Sequence, residues 1–316
     1  MTLVIGTDEA GYGPNLGPLV VAATAWQVDA GADPARLDAA FASAAEAAGP
    51  LWGDSKRIFR GGAGFVALER GALVGLALAS GGVPATWEAL VAAIAAEQDR
   101  VVDGKPGPAE AGVRAAIELP LEAIAADCLK VAGRIEAGLA AGGVTLTTIR
   151  CRVIQPQEFN RLLAAGLNKS DILSQATLDL AAPLVAAAMS GQVVVWCDRH
   201  GGRRRYAPLL TRTLGAPLVQ VVEETPERSV YHVPDASCRI EFCVRGESRL
   251  PVALASMTAK YVREISMHAF NAFWGSRQPG LEPTAGYPVD AARWRDEAAA
   301  VVRRDGCDWD DLWRRA

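Results

Sequence analysis

The chain has 316 residues, which suits one large domain or two small ones, and half of them are hydrophobic with few aromatics, so a core of Ala, Leu and Val is expected. A formal net charge of −4 excludes a global attraction to nucleic acid, so binding of a polyanion would need a local basic patch. No apolar run approaches about 18 residues, which argues against a membrane span, and the six scattered cysteines form no CxxC pair, which argues against zinc and for reduced thiols.

Met1 leads directly into a strand pattern, so no secretory leader is expected and the cytoplasm is the expected compartment. Residues 3–7 and 18–27 read as strands, joined through a turn rich in glycine and proline. Residues 35–48 are Ala-rich and read as a helix, and 53–62 as a polar loop. From about 60 to 145 the chain reads as Ala-rich helices, with 102–112 an exposed loop between them. The clearest helix is 121–139, where Leu121, Ile124, Cys128, Val131, Ile135 and Leu139 follow the spacing of one buried face. A strand at 144–154 and a helix from a Ser170 or Asp171 cap to about Met189 follow. Strands are expected at 192–198, 217–224 and 238–244, and helices at 252–273 and 290–304. Antiparallel strands first, then strands alternating with helices, predict an α/β fold with a mixed sheet.

The acids fall at telling places. Asp8 and Glu9 close the first apolar run, Asp198 ends the most hydrophobic strand, and Glu247 lies between a strand and the long helix. Ligands of open α/β sheets gather at the carboxyl ends of strands. Unpaired carboxylates in a half-buried position are costly, so the set calls for cations. Four convergent carboxylates suit two hard divalent ions, with magnesium as the default. Two such ions about 3.5–4 Å apart activate water and steady the leaving oxygen of a phosphodiester.

These residues resemble known motifs. IGTDEAGYGPNLGPLVVAA (5–23) resembles the opening of the type 2 ribonucleases H, ribonucleases HII and HIII. GDSK (53–56), VVVWCD (193–198), RGESRLPVALASMTAKYVRE (245–264) and AGYPVDAARW (285–294) resemble further segments of that family, in the family's order. The resemblance implies a ribonuclease H-like fold over 1–316 as a single catalytic domain, with a helical insertion at about 60–145 and a helical C-terminal part at about 252–316. It implies that Asp8, Glu9, Asp198 and Glu247 are the catalytic, metal-ligating acids, for two Mg2+ or Mn2+ ions, and that the substrate is an RNA–DNA hybrid. A glutamate in the fourth position is HIII-like, yet with the acids beginning at residue 8 the extra N-terminal domain of that branch is expected to be absent.

Gly11, Tyr12 and Gly13 stand where ribonuclease HII has Gly-Arg-Gly, which reads the ribose 2′-hydroxyl. Tyr287 matches a tyrosine that stacks at the RNA–DNA junction. Lys56, Arg199, Arg203 and Arg204 are candidate phosphate contacts, with Arg205 in the same run. His200 reads as a surface residue of that basic loop, Lys260 with Glu264 as an ion pair within a helix, and Trp294, Trp309 and Trp313 as packing anchors. The expected activity is hydrolysis of the RNA strand of hybrids to 5′-phosphate and 3′-hydroxyl ends by a monomer. Tyr12 in place of the family's arginine keeps two alternatives open: a nuclease with a changed substrate, such as structured DNA or RNA, and a catalytically silent nucleic-acid-binding module.

Overall fold

The computed structural model describes residues 1–53, 64–95, 116–188 and 191–315. Seven strands form one mixed sheet: β1 (Thr2–Ala10), β2 (Leu19–Val28), β3 (Val144–Ile154), β4 (Gln192–Asp198), β5 (Gln220–Glu224), β6 (Arg228–Val233) and β7 (Cys238–Cys243), in the order β3-β2-β1-β4-β7-β6-β5. β2 runs antiparallel to both β1 and β3, whereas β4 lies parallel to β1 and β7 parallel to β4, and β6 is antiparallel to β7 and β5. The mixed sheet expected from the sequence is therefore the one observed.

The near-continuous apolar runs of the central strands follow from burial on both faces. Along β1 and β2, Val4, Val20, Ala22 and Trp26 point to one core, while Ile5, Leu19, Val21 and Ala23 point to the other. The first core is roofed by α1 (Pro34–Ala48), α2 (Gly64–Ser80), α3 (Trp87–Ile94), α4 (Ala125–Ala141) and the long α8 (Leu250–Arg277). The second is covered by α5 (Pro156–Ala164), α6 (Lys169–Ala187) and α7 (Ala207–Leu214). A third cluster joins the end of α8 to α9 (Pro288–Arg304), where Trp294 packs 4.9 Å from Phe270 and 5.8 Å from Trp274, ring to ring.

Local chemistry sets the helix boundaries. Asp33 caps α1 by accepting from the Ala35 N–H at 2.9 Å, with Pro34 in the first turn. α6 starts one residue before the expected caps, because Asn168 and Asp171 form a reciprocal capping box. The helix expected from 121 begins at Ala125: the buried Glu69 carboxylate on α2 accepts the N–H groups of Leu121, Glu122 and Ala123 at 2.7, 2.8 and 2.7 Å. Those amides are thus held in a turn around an anion, and Ile124 ends up exposed.

Three short elements lay below the sequence signal: α5 and α7, whose first-turn prolines resemble breakers, and β6. The strand expected at 217–224 shrinks to β5 at the sheet edge, and its Val221 and Val222 are exposed. The 102–112 loop and most of 53–62 lie outside the described residues. All six cysteines are free thiols. Among the described residues, no helix is long and apolar enough to cross a membrane.

The start of α8 lies directly against β1. A Cβ added at Gly6 would overlap the backbone of Pro251, so this strand position needs glycine for the close approach of the two elements. Gly6→Ala is expected to lose about 1–3 kcal/mol of stability in urea unfolding, as overpacked sites do. An unchanged midpoint would refute the tight seating of α8.

Candidate active site

The parallel pairing of β1 and β4 decides the geometry. Gly6 lies opposite Trp196 and Thr7 opposite Cys197, so Asp8 and Asp198 leave neighbouring strands at the same level. The chain after β7 turns sharply through Arg245, a non-glycine residue with φ of 63°. The Gly246 N–H then donates to Asp198 Oδ1 at 2.8 Å, which ties the Gly246–Ser248 turn, and Glu247 within it, to the strand end. Asp8 Oδ1 accepts the Glu9 N–H at 2.8 Å.

Three of the four acids feel one another strongly. Loss of solvation and then the Asp198 charge push the Asp8 carboxyl up to about 7, against the opposing pull of the Ser256 hydroxyl, the Glu9 N–H and Lys260. Glu9 is raised well above the usual carboxylate range by the same loss of solvation and by Asp8 and Asp198. Lys260 of α8 lowers both. The charges it acts on thus include the acidic cluster, beyond the expected pair with Glu264. The cationic neighbour of Glu264 is Arg263, at 3.7 Å.

The expected four-carboxylate cage is not closed. Among the described residues, no set of three or more His, Cys, Asp or Glu side chains stands in metal-holding geometry. Glu247 lines an adjacent cavity of about 430 Å³ with Asp38, Phe41, Trp52 and Arg249. Glu247 sits in the turn held by the Gly246 N–H, so its backbone is tied to the end of the Asp198 strand while its side chain lies against the neighbouring cavity. The donor chemistry nevertheless fits a hard divalent cation, because all-oxygen ligands with raised proton affinity relax by gaining positive charge.

The turn after β1 is shaped by Gly11, whose φ of 85° and tight surroundings exclude a side chain; a Cβ there would stand 2.5 Å from the Pro18 carbonyl oxygen and 2.8 Å from Arg263 Nε. Tyr12 is half-buried, with the Lys169 ammonium 5.2 Å from its ring centre. Its phenol is raised by burial and then by the Glu9 charge, with Arg203 opposing, so it sits between the acids and the basic loop. A side chain at Gly13 would meet open space. Tyr287 is exposed at the start of α9, with the Arg263 guanidinium 5.7 Å from its ring centre. Arg263 therefore lies beside both Gly11 and Tyr287.

The basic loop is less free than the sequence suggested. Arg199 donates to the Pro226 and Thr225 carbonyls at 2.7 and 3.0 Å, and Arg203 pairs with Asp171 and bonds Ser170 Oγ at 3.2 Å. Both anchor the loop to its neighbours. Arg204 is exposed, and Arg205, also exposed, is 3.8 Å from Glu224. His200 is not a surface residue: it is buried, its Nδ1 lies 2.9 Å from Ser174 Oγ, and burial followed by the Arg203 charge pushes it down to about 3. It is neutral at ordinary pH. Lys56 lies outside the described residues.

Ser256, Lys260 and Arg263 form a group on α8 that the motifs do not single out. Their spacing of four and three places them on one helix face, which was a usable signal.

A carboxyl group held above its unfolded value stabilises the fold while protonated, and that contribution is lost as the pH rises. For Asp8 the window runs from about 4 in the unfolded chain to about 7 in the fold. Metal-free protein is expected to lose stability across this window, and magnesium or manganese to restore it above pH 7. Urea melts of chelator-treated protein at pH 5 and 8 check this. Asp8→Asn should flatten both responses.

No protein-family model matches the chain, and no curated protein matches it. Solved structures similar to it include ribonuclease HII of Archaeoglobus fulgidus, from its complex with PCNA, at 15% identity and a TM-score of 0.45, covering 99% of this chain and 94% of that one. Another is Bst-ribonuclease HIII in complex with Mn2+, at 15% identity and a TM-score of 0.44, covering 99% of this chain and 66% of that one. A third is ribonuclease H2 of Pyrococcus horikoshii OT3, at 14% identity and a TM-score of 0.41, covering 98% of this chain and 92% of that one. The chain thus spans about two thirds of the HIII chain and nearly all of the other two.

Proposed function

We propose that this protein is a metal-dependent endoribonuclease that hydrolyses the RNA strand of RNA–DNA hybrids. The observation that carries the proposal is the juxtaposition of Asp8, Glu9 and Asp198 at the carboxyl ends of two parallel strands, where poor solvation and the neighbouring charges raise the proton affinity of Asp8 and Glu9. Such a site is electrostatically incomplete without cations. The ordered family motifs around it supply the substrate class.

Asp8 and Asp198 would hold the ions, with Glu9 and Glu247 as flanking oxygen ligands. Two Mg2+ or Mn2+ ions, when bound, supply activation of the attacking water and neutralisation of the leaving oxygen. Lys260 offsets part of the excess negative charge. The Gly11–Gly13 turn presents backbone, Tyr12 an aromatic face, and exposed Tyr287 a second aromatic face. Arg204 is the described arginine of the basic loop best free to meet a phosphate. The products carry 5′-phosphate and 3′-hydroxyl ends, and the protein works as a cytoplasmic monomer.

One observation favours a second reading, a nuclease with a changed substrate. Tyr12 occupies the place of the family's 2′-hydroxyl-reading arginine, and its hydroxyl lies close to Gly201 of the basic loop. Three duplexes distinguish the readings: a uniform hybrid, a DNA duplex with one embedded ribonucleotide, and all-DNA. Magnesium-dependent cleavage of the uniform hybrid is expected, with turnover reduced at least 100-fold in Asp8→Asn and Asp198→Asn while hybrid binding survives. Loss of one preorganised oxyanion-hole donor typically costs about 10²–10³ in kcat, and loss of a metal-holding carboxylate is expected to cost at least as much. Preference for all-DNA would establish the second reading, and binding without cleavage would mark a silent module.

A further inference from the structure

The segment that follows α9 folds back onto the turn beside the acids. Leu16 bridges Trp313 in antiparallel fashion, the Arg314 N–H donates to the Asn15 carbonyl at 2.7 Å, and Asn15 Nδ2 donates to the Arg314 carbonyl at 3.2 Å. The Arg314 guanidinium runs under the turn, donates to the Pro14 carbonyl and lies 5.1 Å from the Phe159 ring centre. Asn160 of α5 holds the segment from outside: its Nδ2 donates to the Asp310 and Trp313 carbonyls at 3.0 and 2.8 Å, and its Oδ1 accepts the Arg315 N–H at 2.9 Å. On the opposite side, the N–H groups of Asn15 and Leu16 donate to the Gly286 carbonyl at 2.8 and 3.2 Å, next to Tyr287. Residues 14–16 are gripped from two sides.

This arrangement carries an energetic cost. Arg314 is 1% exposed, and its Nε and Nη1 have no hydrogen-bond partner among the described residues. Buried donors left unpaired are destabilising, and an apolar side chain of similar length often serves stability better. A costly cation at this point is therefore explained by placement of the turn more readily than by stability.

We propose that Arg314 is a positioning residue for substrate binding: it fixes residues 14–16 and so sets Gly11, Tyr12 and Gly13 beside Asp8 and Glu9. The proposal deepens, and rests on, the hybrid-cleaving function above. Arg314 acts through the turn and touches neither metal nor substrate.

The test compares the parent chain with Arg314→Met, Arg314→Lys and Asn160→Ala. Arg314→Met is expected to melt within a few degrees of the parent or above it. Its KM for a uniform hybrid should rise about tenfold with kcat changed less than twofold, and Arg314→Lys should recover part of the loss. Amide exchange over residues 11–18 should quicken at least tenfold in Arg314→Met, and also in Asn160→Ala, which loosens the segment while touching none of the turn's own residues. A lowered melting temperature with unchanged KM and unchanged exchange in both variants would overturn the proposal. Exchange is read independently of turnover: a parent chain that cleaves no hybrid defeats the functional reading, while the exchange comparison still decides whether Arg314 holds the turn.

Discussion

Repulsion among carboxylates at the joint end of two parallel strands is the constraint around which this molecule is arranged. Strand pairing alone brings Asp8 and Asp198 level, and Glu9 follows Asp8 directly. No choice of side-chain rotamer can separate them far, because the backbones are fixed by the sheet. The structure meets the resulting excess charge with Lys260 and two backbone N–H groups, those of Glu9 and Gly246. What remains is a site with raised proton affinity, and such perturbed groups mark functional positions more often than structural ones.

α8 is the second organiser. Its first turn enters against Gly6, where a side chain would not fit, and from there Ser256, Lys260 and Arg263 recur on one face. The first two act on the acids, and the third reaches the carbonyls of Leu16 and Ala285 at 3.4 and 2.8 Å. One rigid helix, almost wholly buried, thus sets both the charge balance of the site and the shape of the turn that borders it. Rigid elements hold such groups more accurately than loops.

The basic loop after Asp198 shows how charge is divided between structure and solvent. Arg199 and Arg203 are spent on carbonyls and on Asp171, holding the loop to the β5–β6 connection and to the start of α6. His200 turns inward among Tyr206 and Phe242, whose ring centres lie 5.6 and 5.3 Å away. Arg204 and Arg205 face outward. A run that reads as uniformly basic in sequence is, in space, one buried neutral ring, two anchors and two exposed charges.

The mixed sheet, the two-sided burial of its central strands and the positions of the acids at strand ends were all legible in the order of residues. These are properties of short-range periodicity and of residue type, which survive without knowledge of the partners. That order also carried the spacing of Ser256, Lys260 and Arg263, although local pairing with Glu264 was the simpler expectation for Lys260. Tertiary structure decided the rest. Which acids come together, and that Glu247 lines a neighbouring cavity, depends on how β1, β4 and the turn after β7 meet in space. The late start of α4 depends on Glu69 more than fifty residues earlier, and the burial of His200 on Ser174 and Phe242. The gripping of the turn by Arg314 joins residues about 300 apart in the chain. Such pairings arise from long-range packing, and no local pattern of residues encodes them.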